Sequence, residues 1–184
     1  MKRFLMLCVF CIISACSVGD KEPSQQVFSM STQEMIEKYN AAMIKLDKTS
    51  LLPSVTSFDR IDDKVNQKFY VLRYGIKENL SIVFYIDKKT DKPYSIAAYN
   101  IPITKLDAIK HLYMLGTIGN IFWDNEKRGA LLITCKQAID SNKATEIQLD
   151  GMDVICANAG ELHVAGISMP ISGANKSVGQ FNQQ

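Results

Sequence analysis

The sequence has very few of the residues that usually carry chemistry. There are two histidines, His111 and His163, in 184 residues, and neither belongs to an H-E-x-x-H pattern or any other metal-ligand spacing. No G-x-S-x-G surrounds a serine, so the strained strand-to-helix turn that exposes a nucleophile is missing. Gly116-Thr117-Ile118-Gly119 is only G-x-x-G, with no Lys or Ser/Thr after it to complete a phosphate loop. Asp59, Asp62 and Asp63, with Arg60 among them, lack the alternating ligands and distal glutamate of a calcium loop and read as a solvated acidic loop. There is no internal repeat and no cluster of cations able to draw in nucleic acid. No apolar run approaches the ~20 residues that a membrane-spanning helix needs. These gaps point away from metal, nucleotide and nucleic-acid chemistry, and they predict no catalytic residue, metal or cofactor. A hydrolase with a dispersed site stays open as the least favoured class.

What is present begins at the first residue. Lys2 and Arg3 precede a ten-residue apolar stretch, Phe4 to Ile13, and then Ser14, Ala15 and Cys16. A cationic start, a short apolar segment and small residues together form a secretory signal. An ordinary cleavage site prefers small residues at the first and third positions before the cut, and a cut after Ala15 would put Ile13 at the third. Ile13-Ser14-Ala15-Cys16 resembles the lipobox of bacterial prolipoproteins, and the resemblance is confined to this leader. It implies removal of residues 1–15, a diacylglyceryl group on the Cys16 thiol and usually acylation of the new α-amino group. Two or more acyl chains anchor stably, whereas one holds only marginally. Ser17, where an Asp would imply inner-membrane retention, implies a lipid-anchored protein of the outer membrane facing the periplasm.

Removing the leader also removes Lys2 and Arg3, which leaves nineteen basic and nineteen acidic residues in a formally neutral mature chain. Cys8 and Cys11 leave as well and Cys16 carries lipid, so Cys135 and Cys156 remain as an even pair in an oxidising compartment.

The expected organisation is a lipidated Cys16 and polar tether over 16–28, one domain over 29–169 and a flexible tail over 170–184. Ser31 and Glu34 form a capping box, with Met30 and Met35 placed as its hydrophobic staple. Met35, Ile36, Tyr39, Ala42, Met43 and Leu46 then recur at helical spacing to about Asp47. Beyond Pro53, alternation predicts a strand around 69–74, a turn over 75–79, a strand on Leu80, Ile82, Phe84 and Ile86, a charged turn, and a strand to about Tyr99. An earlier strand over 55–61 is a further candidate. Thr104 and Asp107 cap a second helix that Gly116 and Gly119-Asn120 should weaken, and Asp124 caps a third. Asp150-Gly151 is a two-residue type I′ turn between 146–149 and 152–156, the clearest hairpin in the chain. A strand over 161–167, including His163, follows. The fold class is α+β: an antiparallel β-meander packed against about three helices, with a C-terminal β-hairpin.

Two expectations concern sites. Cys135 shares an inward helical stripe with Leu131, Ala138 and Ile139. Cys156 has the parity of Met152 and Val154, so a Cys135–Cys156 disulfide is predicted. The meander is rich in aromatics; one set must face the helices, and the other is free to serve a partner surface, for which Tyr70, Tyr74, Tyr85 and Tyr99 are the candidates. The functional expectation is a non-catalytic binding domain for a protein or other envelope component, of assembly-factor, immunity or inhibitor type. An apolar-ligand carrier is the alternative, and it requires a cavity above about 300 Å³.

Overall fold

The computed structural model describes residues 26–45, 52, 54–62, 68–77 and 79–170. The leader, Cys16, Leu46, Asp47, Asp63 and the tail from 171 onward lie outside the described residues. Among the described residues, seven strands and three helices run in the order α1 (Thr32–Lys45), β1 (Asp59–Asp62), β2 (Phe69–Lys77), β3 (Leu80–Asp87), β4 (Lys92–Asn100), α2 (Lys105–Phe122), α3 (Asn125–Ser141), β5 (Thr145–Leu149), β6 (Met152–Ala159) and β7 (Leu162–Ser168). The architecture is α+β. All strands join one antiparallel sheet in the order β1-β2-β3-β4-β7-β6-β5. The meander and the hairpin are therefore one layer, zipped together where β7 returns beside β4.

The helix starts follow the capping chemistry. On α1 the Ser31 amide donates to Glu34 Oε2 at 2.6 Å and the Glu34 amide to Ser31 Oγ at 3.2 Å, so two orphan helix donors are satisfied reciprocally. Glu34 stays ionised below the usual carboxylate range because Ser31 donates to it. On α2 the Thr104 and Asp107 side chains make the same box. Asp124 accepts from the Lys127 amide at the start of α3, and Asn142, left-handed at φ 55°, closes its end.

Three boundaries differ from the sequence pattern. The β1 strand begins at Asp59 and not Val55, because the Val55 amide and carbonyl are both taken, at 2.8 Å each, by the side chain of Asn40 on α1. The acidic stretch is thus an exposed edge strand, with Arg60 bonded to Asp62, where a loop was expected. The β2 strand continues through Gly75 to Lys77 by a register shift between those residues. The α2 helix continues through its glycines and runs to Phe122. A Cβ on Gly119 would lie 2.8 Å from Leu131 Cδ2, so this glycine is what lets α2 and α3 cross closely. Gly116 is different: its Cβ would meet Leu132 Cδ1 at 3.6 Å, an ordinary contact. In a helix interior, glycine costs roughly 1 kcal/mol relative to alanine. Gly119→Ala should therefore destabilise by up to about 2 kcal/mol, overpacking against Leu131 outweighing the helix gain, while Gly116→Ala should be neutral or stabilising. Urea unfolding of the two variants checks the contrast.

The start of the domain is also earlier than expected. Phe28, placed in the tether by composition, is buried against Phe122 with ring centroids 5.1 Å apart, and its amide donates to the Pro93 carbonyl. The Gln26 amide likewise reaches the Pro170 carbonyl. Folded structure thus extends to Gln26, and the chain enters the domain beside the first residues of β4.

The core lies between the helices and one face of the sheet. Tyr70, Leu72 and Tyr74 of β2 share that face with Leu80, Ile82, Phe84 and Ile86 of β3, Ile96 and Ala98 of β4, and Ala165 and Ile167 of β7. Met35, Tyr39, Met43, Met114, Leu115, Ile118 and Leu131 meet them from the helices. Cys135 on α3 and Cys156 on β6 form a disulfide within this core, with Cα atoms 5.0 Å apart. The hairpin turn has φ 50° at Asp150 and 76° at Gly151, both positive as a type I′ turn requires. Lys127 at the start of α3 is ion-paired to Asp150 at 2.7 Å and so ties helix to turn.

Candidate functional site

Strand alternation places two of the four candidate tyrosines on each face, so they do not form one surface. Tyr70 and Tyr74 belong to the helix-covered side and are buried. The Tyr74 hydroxyl donates to the Ser54 carbonyl at 2.6 Å. The Tyr70 hydroxyl donates to Asp91, and the Arg60 guanidinium stacks 3.9 Å over its ring. Burial, reinforced by the bond to Asp91, pushes the Tyr70 phenol up to about 12. These two rings anchor β1, β2 and the β3–β4 turn, and this corrects their assignment as partner-facing residues.

Tyr85 and Tyr99 occupy the opposite, helix-free face. Their hydroxyls share a hydrogen bond of 2.7 Å, and burial raises both phenols so that each stays neutral at any physiological pH. Phe69, Tyr85 and Tyr94 form a triangle of rings with centroids 5.9 to 6.2 Å apart. Beside them the floor of the face is made of small side chains. Ser81 and Tyr99 are cross-strand neighbours, as are Val83 and Ala97, and Ala97 lies opposite Gly166. A Cβ on Gly166 would stand 3.7 Å from Ala97 Cβ. Ser168 Oγ bonds Ser95 Oγ at 2.8 Å. The face therefore carries neutral, mutually bonded phenols over a floor of small, largely buried side chains, with Arg73 exposed beside Val83 on β2. Such a surface suits recognition by shape and hydrogen bonding.

The two histidines, distant in sequence, meet in the core. His163 on β7 lies between Asn100 of β4 and Asn158 of β6 in one cross-strand row. His111 on α2 stands over it, with ring centroids 6.1 Å apart at 60°. Asn100 Nδ2 donates to the Asp107 carbonyl on α2, and Asn158 Nδ2 to the Ile139 carbonyl on α3, so both carboxamides hold helices. Their Oδ1 atoms and the Nδ1 atoms of both histidines are buried without a protein partner. Burial, with His163 as a lesser cause, pushes His111 down to about 3, and burial lowers His163 as well. Both rings are neutral, and the groups beside them are carboxamides, not carboxylates. The sequence signalled neither Asn100 nor Asn158, because the row exists only once β4, β7 and β6 are in register.

Among the described residues, no three His, Cys, Asp or Glu side chains converge as a metal site. A groove of about 310 Å³ lies between α1 and the end of α2, but it opens to solvent and is bordered by Lys38, Lys45 and Asn120. It is not the enclosed apolar cavity that a carrier of apolar ligands would need. No described helix is long and apolar enough to cross a membrane. No family model, curated protein or solved structure matches this chain.

Proposed function

We propose that the protein is a lipid-anchored lipoprotein of a bacterial envelope whose domain binds another protein through the helix-free face of its sheet. The observation that carries the binding half is the array of Tyr85, Tyr99, Phe69 and Tyr94 beside Ala97 and Gly166, a neutral aromatic surface on the side away from the helices. The anchoring half rests on Lys2-Arg3, the apolar run to Ile13 and the residues Ile13-Ser14-Ala15-Cys16. By this reading Cys16 is the lipid attachment site, outer-membrane residence facing the periplasm follows from Ser17, and no residue of the domain is catalytic. The described domain begins at Gln26, whose amide donates to the Pro170 carbonyl.

Two measurements test the two halves separately. Mass spectrometry of the mature N-terminus should find an acylated Cys16; a free thiol there, or a chain still beginning at Met1, refutes the anchor. A photo-crosslinking amino acid at Val71 or Val164, both on the helix-free face, should give an adduct with a discrete envelope protein in living cells. The same group at Glu37 on α1 should not. Equal adducts at all three positions, or none, refute the binding face.

A further inference from the structure

The row of Asn100, His163 and Asn158 beneath His111 holds four polar atoms whose bonding the protein does not complete. Asn100, His111 and His163 are 0%, 1% and 7% exposed. The Oδ1 atoms of Asn100 and Asn158 and the Nδ1 atoms of both histidines are out of solvent and make no hydrogen bond within the protein. All four belong to one place. Register sets His163 directly between the two asparagines, and His111 covers it from α2. Asn100 is itself bonded to the Asp107 carbonyl, one helical turn before His111. Folded proteins pair nearly all their buried polar atoms with protein, water or an ion, so four unpaired atoms around one side chain call for an occupant.

We propose that this row is a binding site for an internal water that bridges the two histidines and the two asparagines. The count of donors and acceptors matches water. A carboxamide oxygen can only accept, so the occupant must supply two protons. A neutral imidazole can donate from Nδ1, so the occupant must also offer two lone pairs. Water has two of each, and internal waters ordinarily make roughly two to four hydrogen bonds to buried polar groups. A metal cation is opposed by charge. Lys110, next to His111 in sequence, is the only ionised side chain buried among the described residues, and it is a cation. The Asp107 carboxylate on the same helix is committed to the capping box with Thr104 and to the Ile103 amide. A cation in the row would have only neutral ligands, and a buried charge without a compensating partner is costly. The bound water links β4, β7 and β6 to α2 where the meander meets the hairpin. It also fixes both tautomers, because one water satisfies all four atoms only when each ring carries its proton on Nδ1.

The test uses the full chain, isotope-labelled and purified in detergent without chelator. Long-range proton–nitrogen correlation spectra should find both rings neutral and protonated on Nδ1, and both Nδ1 protons should show cross-relaxation with a slowly exchanging water. Asn158→Leu removes one acceptor and should abolish that cross-relaxation at His163 while the amide spectrum stays that of the folded protein. Either ring protonated on Nε2 overturns the proposal, as do Nδ1 protons with no bound water beside them. Cross-relaxation that survives Asn158→Leu overturns it too, and so does stoichiometric zinc or copper found in the purified chain by mass spectrometry. If Asn158→Leu does not fold, the tautomers and water contacts of the parent chain decide the matter alone.

Discussion

Lowering the pH from 7 to 4 should remove about 3 kcal/mol of unfolding free energy, through His111 alone. The ring is buried and held neutral, with its pKa near 3 in the folded protein. In the unfolded chain it titrates near the ordinary value of about 6.5. Below pH 6.5 the unfolded state therefore binds a proton that the folded state refuses, and stability falls until the folded pKa is reached. His163 is lowered by burial too and adds to the loss with the same sign. The capping carboxylates act in a different window. Glu34 and Asp107 are held low by their hydrogen bonds, so their contribution is present above the unfolded carboxylate range and is lost only below about pH 4. Urea denaturation as a function of pH separates the two. A double His111→Gln, His163→Gln variant should show a flat profile between pH 6.5 and 4, whatever its stability at neutral pH. An unchanged slope in that variant would refute the assignment.

Breaking the Cys135–Cys156 disulfide should cost about 3 kcal/mol, as expected for a loop of roughly twenty residues. Both cysteines are 1% exposed, so reductant alone should leave the folded protein unaltered. The bond should open once denaturant is present. A Cys135→Ala, Cys156→Ala chain should accordingly unfold at a lower urea concentration, and added reductant should no longer shift its midpoint. Alkylation in denaturant without reductant should find neither thiol; finding both would exclude the bond.

Most of the local structure was legible in the sequence. Ser31-Glu34, Thr104-Asp107 and Asp124 act at short range, and each starts a helix where the pattern says. Asp150-Gly151 forms its turn because only residues tolerant of positive φ fit there, and parity alone then puts Cys156 on the apolar face. Failures occur where a distant partner decides. Asn40 takes the backbone of Val55, and α3 makes Gly119 a packing residue instead of a helix end. Parity separates Tyr70 and Tyr74 from Tyr85 and Tyr99, but grouping all four by composition merged two faces of one sheet. The histidine row and the joining of meander to hairpin both depend on β7 returning to β4, and no local signal specifies that pairing.

That return strand also determines how the chain must assemble. The pairs within β1–β4 and within β5–β7 link neighbours in sequence and can form quickly. The pairing of Ala98 with Ala165, and of Asn100 with His163, waits until everything from Ile101 to Glu161 has been looped back. Loop closure of that span is costly in entropy before any contact across it compensates, so the β4–β7 seam is expected to be the slow, late event in folding. Until it closes, both halves present a raw strand edge, and the edges that remain afterwards are different ones. On one side that edge is β1, short and charged at Asp59, Arg60 and Asp62, which disfavours further strand addition. On the other side it is β5, a five-residue strand whose Glu146 and Gln148 are exposed.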